Sequence, residues 1–313
     1  MKLSIITINY NNAEGLRRTL ASVATQTYHN IEHIIIDGGS NDGSVDIIRD
    51  YESTNLLNSG SIDIKWVSEP DKGIYNSMNK GIEIALGRRI VNSFNRSEQR
   101  EDKHCKADQS EGIGDKNKEL SDYIQILNSA DTLISDTIIE CMMAQLKEND
   151  FPDLLYGNSV NDRVSRHKSS HGPNLDYSLR LFYNNTYPHE STFFKKELFS
   201  EDGYGLYDES LKIVSDWKWY LQAIGLGNVK PVYVDIDVIL FDMNGISSTN
   251  KQLDTQERRR VLKEVLPPAI YADYVKYAFP MSQYDRLKKY HVWGFVSFVE
   301  RVLFKLEKWH IIR

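Results

Sequence analysis

Residues 123–131 have the sequence YIQILNSAD. Tyr123–Leu127 is almost entirely apolar and rich in residues that favour strands, which predicts a short buried strand. The strand leads directly into the polar tip Asn128–Asp131. Ligands of open α/β sheets bind at the carboxyl ends of the strands, so this tip would place the Asp131 carboxylate in a binding cleft. Such a carboxylate can hold Mg²⁺ or Mn²⁺, or it can cap the helix predicted over Thr132–Leu146.

Three more strands precede this one, and each is followed by a turn and a helix. The pattern predicts strands at Leu3–Ile8, Ile31–Ile36 and Ile62–Val67, and helices at Ala13–Thr25, Val45–Tyr51 and Ile74–Leu86. This alternation predicts an α/β fold with a mostly parallel sheet flanked by helices. Polar residues stand at every strand tip: Asn9, Tyr10 and Asn11, then Asp37 and Ser40, then Asp71, and finally Asp131. The tips of parallel strands meet at one edge, although polar loop residues also serve as helix caps.

The second half of the chain adds three polar segments. They are YPHESTFF at 187–194, VSDWKW at 214–219 and NGISST at 244–249. Asp216 stands at the start of a predicted helix, where it either acts chemically or caps the helix, with Ser215 as a competing cap. Short strands are predicted at Asp153–Tyr156 and Val232–Phe241.

Composition and charge limit the possible classes of protein. The chain has 313 residues, of which 41% are hydrophobic and 26% charged, enough for one large core or two small ones. A net charge of −6 argues against nucleic-acid binding. Cys105 and Cys141 cannot form a disulfide framework, which favours a reducing compartment. Met1–Tyr10 lacks the features of a secretion signal and no apolar run suffices for a membrane span, so we expect a cytoplasmic location.

The segment Asn95–Asp122 interrupts the pattern, with 14 charged residues in 28 positions. Such a composition buries too little apolar surface to offset its ordering entropy, which predicts a surface loop inserted into the domain. The adjacent pair His104 and Cys105 lacks the spacing of metal ligands. His167 and His171 are four residues apart, but the serines, glycine and proline around them argue against a helix there.

The C-terminal part of the chain differs in character, which predicts a domain at residues 1–250 and a helical region at 251–313. Arg286–Arg313 carries seven Lys or Arg against two Glu, with apolar residues at helical spacing. A basic amphipathic helix favours peripheral contact with an anionic membrane, here the inner membrane surface. Docking of the helix on the protein's own core is the alternative.

The order of the motifs resembles that of a known family. SIITINYNN, IIIDGGSNDGS, SEPDKGIYNSMNKGIEIALG, ILNSAD, PHESTFF, VSDWKWYL and NGISST follow one another as in the family 2 glycosyltransferases. The resemblance is greatest to the branch that assembles bacterial exopolysaccharide, capsule and O-antigen units. It covers about Lys2–Asn250 apart from the insertion, and SEPDKGIYNSMNKGI together with LNSAD is highly specific.

The resemblance implies a GT-A fold, a nucleotide-sugar donor such as a UDP-sugar, and a divalent metal, Mg²⁺ or Mn²⁺. It implies an inverting hexosyltransferase that acts on a hydroxyl of a saccharide or lipid-linked saccharide during surface polysaccharide biosynthesis. Asp131 matches the last acid of the DxD-type motif, Asp216 the general base, and His189 a position near donor and acceptor, with Glu190 and Trp217 beside them. Donor contacts are expected from Thr7, Asn9, Tyr10, Asn11, Asp37, Gly38, Ser40, Asp71, Lys72, Asn79, Asn128 and Ser129.

Two positions depart from the family pattern. Gly38 stands where many members have a second acid, and Ser129 stands at the first position of the DxD-type motif. One protein carboxylate is then left for the metal, so metal affinity should depend strongly on the phosphates of the donor. A Rossmann dehydrogenase is excluded because G-x-G-x-x-G does not follow the first strand. A non-catalytic nucleotide-sugar or glycan-binding protein of the same fold stays open.

Overall fold

The computed structural model describes residues 1–57, 62–90, 121–160, 179–183, 185–242, 250–277 and 293–308. The chain divides into two compact units, Met1–Glu257 and Arg258–Arg313. Several predicted features therefore lie outside the described residues: most of the inserted loop with His104 and Cys105, the pair His167 and His171, the NGISST turn, and both ends of the segment 286–313.

A single sheet of eight strands organises the first unit. The strands are β1 Leu3–Asn9, β2 Ile31–Asp37, β3 Asp63–Ser68, β4 Tyr123–Ile126, β5 Thr132–Leu133, β6 Leu154–Val160, β7 Thr192–Lys195 and β8 Pro231–Leu240. Their order is β3-β2-β1-β4-β7-β6-β8-β5. β3, β2, β1 and β4 are parallel, as are β6 and β8, whereas β7 is antiparallel to both β4 and β6, and β5 is antiparallel to β8. The predicted α/β class is confirmed.

Helices follow the parallel strands as the periodicity predicts. They are α1 Ala13–Ala24, α2 Ser44–Leu57, α3 Ile74–Ala85, α4 Ile138–Glu148 and α5 Ser215–Tyr220, followed by Lys251–Val265 and Trp293–Lys308. On α1, Leu16, Leu20 and Val23 lie on one face and are buried. Gly81 lets α3 lie close to β1, because a Cβ at this position would come within 2.4 Å of Ile6 Cγ2. β1 is buried along its whole length and lies between β2 and β4, so its tip has strand tips on both sides.

The helix predicted over Thr132–Leu146 is wrong in its first part. Thr132 and Leu133 form β5 and pair with Leu240 and Ile239 of β8. The helix begins only at Ile138. A strand partner more than a hundred residues away overrides the local helical pattern here. Asp131 therefore does not cap a helix.

The last two residues of the predicted loop Asn95–Asp122 are anchored to the sheet, just before β4 begins at Tyr123. Ser121 is fully buried and Asp122 accepts a hydrogen bond from the Lys2 backbone N–H at 2.8 Å. The Ser121 hydroxyl lies 2.5 Å from that of Ser4, and Ser4 donates to the buried Glu32 at 2.7 Å. The amino ends of β1, β2 and β4 are thus joined by side-chain hydrogen bonds, on the side of the sheet opposite the strand tips.

Candidate active site

The tips of β1 and β2 are joined through the Asp37 carboxylate. Its Oδ1 accepts from Asn9 Nδ2 at 2.8 Å and Ser40 Oγ at 2.6 Å, and its Oδ2 accepts from Ser40 N at 2.9 Å and Ser68 Oγ at 2.6 Å. Asp37 is fully buried, which would raise its pKa, but the hydrogen bonds from Ser40, Ser68 and Asn9 lower it below the usual range. An ionised Asp37 therefore ties the carboxyl ends of β1, β2 and β3 together.

Asp71 at the tip of β3 lies directly against the backbone of Gly38. A Cβ at position 38 would come within 2.4 Å of Asp71 Oδ2 and 3.1 Å of Tyr10 Cδ2. Asp71 accepts from Ser77 Oγ at 2.6 Å and from the Gly73 N–H at 2.9 Å. Gly38 stands where the resemblance leads us to expect a second acid, and the space is taken by the carboxylate of Asp71, which follows β3. Tyr10 beside them is 64% exposed and offers an open aromatic face.

The tip that carries Asp131 is held by α1. The Thr19 hydroxyl accepts from the Ala130 N–H at 3.0 Å and lies 2.8 Å from the Asp131 carbonyl oxygen, to which it can donate. Ala130 has a φ of +87°, in the left-handed region that costs an L-residue about 1–2 kcal/mol. The hydrogen bonds through Thr19 help to keep this conformation. Asp242 adds a backbone N–H that donates to Asp131 Oδ1 at 2.8 Å.

The Asp131 carboxylate has the properties that a hard divalent cation requires. It is 3% exposed, and within the described chain only Oδ1 accepts a hydrogen bond. Burial, and then the negative charge of Glu190, raise its pKa well above the usual range. A cation would stabilise the ionised form and supply the missing positive charge. Over the part of the chain that the structure describes, no group of three His, Cys, Asp or Glu could hold a metal, so the remaining ligands would be donor phosphates and water.

His189 connects the Asp131 tip to Asp216. Its Nδ1 lies 3.4 Å from Asp216 Oδ2, and its Nε2 lies 3.4 Å from Glu190 Oε1 and 3.2 Å from the amide of Asn128. Burial alone would lower the pKa of His189, but Glu190, Asp216 and Asp131 together raise it to about 9. The imidazole is therefore a cation at neutral pH, placed among three acids.

Asp216 lies in the second position of α5, after Val214 as the N-cap residue, so it does not cap the helix. Its Oδ1 accepts from the Tyr75 hydroxyl at 2.8 Å. Burial would raise the pKa of Asp216, but the hydrogen bond and charge of His189, and then the hydrogen bond from Tyr75, lower it. Asp216 is thus an ionised carboxylate at the strand-tip edge, able to accept a proton.

The remaining predicted residues fall into three groups. Asn11, Ser40, Lys72, Asn128 and Ser129 are at least partly accessible at the strand tips. Thr7 points inward instead, 2.9 Å from His33 Nε2. The Asn79 amide is fully used by Tyr207 and Glu209, and Trp217 is buried at 1% exposure. The donor and acceptor roles of all these residues stay predictions.

Sequence reasoning missed two buried residues, Thr19 and Gln125, whose hydrogen bonds hold the loops of the site in place. Gln125, the one polar residue of β4, donates to the Glu190 carbonyl at 2.9 Å and so holds the turn that carries His189. Thr19 lies on the apolar face of α1, and Gln125 lies inside an apolar strand. Buried polar side chains are nearly always hydrogen-bonded, so a polar residue on an apolar face is the signal that would have identified both.

Comparison with known proteins agrees with the fold. Residues 4–93 match glycosyl transferase family 2. An uncharacterized glycosyltransferase of Mycobacterium tuberculosis (strain CDC 1551 / Oshkosh) is 29% identical over 249 residues, which cover 79% of this chain and 77% of that protein. The PGL/p-HBAD biosynthesis glycosyltransferase of Mycobacterium bovis (strain BCG / Pasteur 1173P2) is 23% identical over 247 residues, 79% of each chain.

Two solved structures share the fold at low sequence identity. S. aureus TarS 1–349 in complex with UDP-GlcNAc has a TM-score of 0.57 at 15% identity, covering 87% of this chain and 69% of that chain. The mannosyltransferase PcManGT from Pyrobaculum calidifontis, in complex with GDP-Man and Mn²⁺, has a TM-score of 0.57 at 12% identity, covering 98% and 82%. The family match over residues 4–93 and these relatives support a family 2 glycosyltransferase, and the fold is of the GT-A type.

Proposed function

We propose that the protein transfers a sugar from a nucleotide-sugar donor, a UDP-sugar, to a hydroxyl group of a saccharide or lipid-linked saccharide, with inversion at the anomeric carbon. We place this activity in the biosynthesis of a bacterial surface polysaccharide. TarS, with UDP-GlcNAc, and PcManGT, with GDP-Man, support a nucleotide-sugar donor. The relative from Mycobacterium bovis is, by its name, a glycosyltransferase of PGL/p-HBAD biosynthesis.

One observation carries the proposal: two acids from distant parts of the chain meet on either side of a single histidine. Asp131 follows β4 and Asp216 lies in α5, while His189 reaches Asp216 at 3.4 Å and Asn128 of the Asp131 tip at 3.2 Å. The environment gives the two acids opposite properties. The pKa of Asp216 is lowered, so this carboxylate is ionised at neutral pH and in the form that can accept a proton, whereas that of Asp131 is raised until a cation is present.

The chain's residues then divide the reaction between them. The acceptor oxygen forms a bond to the anomeric carbon while the bond from that carbon to the diphosphate breaks, and the acceptor proton moves to the Asp216 carboxylate. Asp131 would hold Mg²⁺ or Mn²⁺, which supplies positive charge to the leaving diphosphate when bound. His189 adds its own positive charge next to the same tip. Tyr10 offers an aromatic face for the base of the nucleotide.

The test of the base is Asp216→Asn, compared with Asp208→Asn as a matched control. Asp208 lies on the preceding loop, paired with Lys218 at 2.8 Å, so the control removes the same charge away from the strand tips. We expect Asp216→Asn to bind donor normally and to lose roughly 10²-fold or more in rate, because a positioned base contributes 10²–10⁴-fold. Asp208→Asn should keep the parent rate. Transfer by Asp216→Asn at close to the parent rate would remove Asp216 from the reaction.

The donor and the metal are tested by thermal shift, because a ligand that binds only the folded state raises the apparent melting temperature. UDP- and GDP-sugars are screened with and without Mn²⁺. We expect stabilisation by a UDP-sugar with Mn²⁺, and Asp131→Ala should abolish the metal-dependent part. Release of nucleoside diphosphate with an acceptor present, and the anomeric configuration of the product, then decide the reaction. Binding without turnover would instead indicate a non-catalytic sugar-nucleotide-binding protein.

We further propose that the C-terminal segment contacts an anionic membrane, at the inner membrane surface. Among the described residues, no helix is long and apolar enough to span a bilayer. The helix Trp293–Lys308 nevertheless exposes large apolar side chains, including Phe295 at 68% and Phe298 at 57%. With 100° per residue, Phe295, Phe298, Val299 and Val302 fall within an arc of roughly 100°. Lys305 and Arg301 lie beyond one edge of that arc, by roughly 20° and 60°, where they can meet anionic headgroups, whereas Phe304, 67% exposed, lies outside the arc.

Vesicle co-sedimentation tests this contact. The parent should bind vesicles that contain phosphatidylserine more strongly than phosphatidylcholine vesicles, and salt should weaken the binding in part, because screening acts on the Lys and Arg contribution. A chain truncated before Arg286 should lose the binding. Equal binding with and without the segment would contradict the proposal, and so would self-association of the chain through this helix without any lipid binding.

A further inference from the structure

Two side chains from other helices hydrogen-bond the backbone that precedes Asp216. The Tyr75 hydroxyl lies 2.5 Å from the carbonyl oxygen of Ile213 and 2.8 Å from Asp216 Oδ1. On the other side, the carboxylate of Glu257 accepts from the N–H of Lys212 at 2.8 Å and from the N–H of Ile213 at 3.0 Å. Both groups of the Ile213 residue, its N–H and its C=O, are therefore bound by side chains from other helices.

These side chains are remote in sequence and buried in the structure. Tyr75 belongs to α3 and is 4% exposed, and Glu257 belongs to the helix Lys251–Val265 and is 8% exposed. α5 continues into the π-helix Leu221–Leu226, but its amino end, where Asp216 lies, has no side-chain cap, so its own hydrogen bonds do little to fix that end. The contacts of Tyr75 and Glu257 supply that constraint.

Building on the proposed function, we infer that Tyr75 is a positioning residue for the base Asp216, and that Glu257 completes the clamp on Ile213. The single proton of the Tyr75 hydroxyl is shared between the Ile213 carbonyl oxygen and Asp216 Oδ1, so one group acts on both the backbone and the carboxylate. A hydrogen bond donated to Oδ1 favours the ionised carboxylate and fixes its rotation. Reaction rates depend on such orientation, since small misplacements of a catalytic group are costly.

The Tyr75 hydroxyl stays protonated at neutral pH, so it can donate a hydrogen bond. Burial and the negative charge of Asp216 raise its pKa well above the usual value. The titratable groups that shift the pKa of Asp216 are His189 of the 189–191 turn and Tyr75 of α3, while the charge of Asp216 in turn raises the pKa values of Tyr207 and Tyr220. Tyr75 and His189 are the two whose side chains hydrogen-bond the carboxylate.

Tyr75→Phe tests the inference, because it removes one hydroxyl and keeps the ring. We expect kcat to fall roughly tenfold with the donor KM little changed, as a hydrogen bond to a charged group is lost. Removal of that bond raises the pKa of Asp216, so the acidic limb of the pH–rate profile should move upward by roughly half to one pH unit. A purely structural role would not move this limb.

Tyr207→Phe is the matched control. Tyr207 is also buried, and its ring centre lies 5.7 Å from that of Tyr75. Its hydroxyl has no hydrogen-bond partner among the residues that the structure describes. The control should keep the parent kcat and the parent pH profile. A second variant, Glu257→Gln, keeps one acceptor oxygen but turns an NH₂ group toward a backbone N–H. It should lower kcat without moving the acidic limb.

The possible outcomes separate this inference from the proposed function. Parent-like kcat and pH profile in Tyr75→Phe, with Asp216→Asn inactive, would overturn the role of Tyr75 alone. Absence of transfer by the parent would overturn both. If Tyr75→Phe fails to fold, Glu257→Gln decides, because an unchanged kcat in that variant would refute the clamp.

Discussion

The Asp37 carboxylate offers a sharp test of how the donor loops are held. It accepts four hydrogen bonds, from the ends of β1 and β3 and from Ser40 after β2, and two variants perturb them differently. Asp37→Ala removes every acceptor. Asp37→Asn removes the charge but keeps the shape, with an NH₂ group in place of one oxygen.

The loss of unfolding free energy in each variant depends on which donors each carboxylate oxygen accepts from. In Asp37→Asn the amide oxygen can face the Ser40 N–H, which cannot move, while the NH₂ group faces Asn9. The Asn9 amide can turn, because its oxygen has no hydrogen-bond partner within the described chain. This variant then loses only the extra strength of hydrogen bonds to a charged acceptor, so its free energy of unfolding should fall by about 1 kcal/mol. In Asp37→Ala the Ser40 N–H and the Asn9 amide lose their acceptor, at about 1–3 kcal/mol each, or about 2–6 kcal/mol together.

Urea denaturation of both variants at pH 7 measures these free energies of unfolding. Acid titration adds a second readout. The pKa of Asp37 is lowered in the folded state, so its contribution to stability is present above the unfolded value of about 3.9 and is lost as pH falls through the folded value. Asp37→Asn should therefore lose less stability on acidification than the parent. Equal destabilisation by Asn and Ala would refute this account of the network.

Three further predictions concern neighbouring features. Thr19→Val should cost about 1–2 kcal/mol and weaken metal-dependent stabilisation by donor, because the Asp131 tip loses its support; thermal shift with and without Mn²⁺ measures both. Gly38→Ala should weaken nucleotide binding by displacing Asp71, with little change in urea midpoint; unchanged titration calorimetry would contradict this. Replacing residues 95–120 with a short Gly/Ser linker should leave folding cooperative in circular dichroism, whereas a lost transition would show that the segment is structural.

The parallel half of the sheet could be predicted because its signals are local. β1 to β4 are short apolar runs, and each is followed by a polar tip. The tips alone indicated that Asp37, Asp71 and Asp131 would meet at one edge of the sheet. The strand tips thus follow from periodicity and the geometry of parallel strands.

Features that depend on distant partners were not predictable. Thr132 and Leu133 favour a strand only because β8 lies beside them. Asn79 belongs to a highly specific motif, yet its amide holds the backbone of Tyr207, a contact that no local pattern encodes. Tyr75 likewise gains its role from Asp216, more than a hundred residues later.

The central position of β1 has a consequence for how the chain folds. Leu3 pairs with Ile31 on one side and with Tyr123 on the other. Loop-closure entropy grows only by about 0.6 kcal/mol per doubling of length, so the long connection before β4 takes little from stability. It does slow folding, since contacts between distant residues form late. Until β4 arrives, β1 has an open edge that other chains can join. Refolding yield should therefore fall as protein concentration rises.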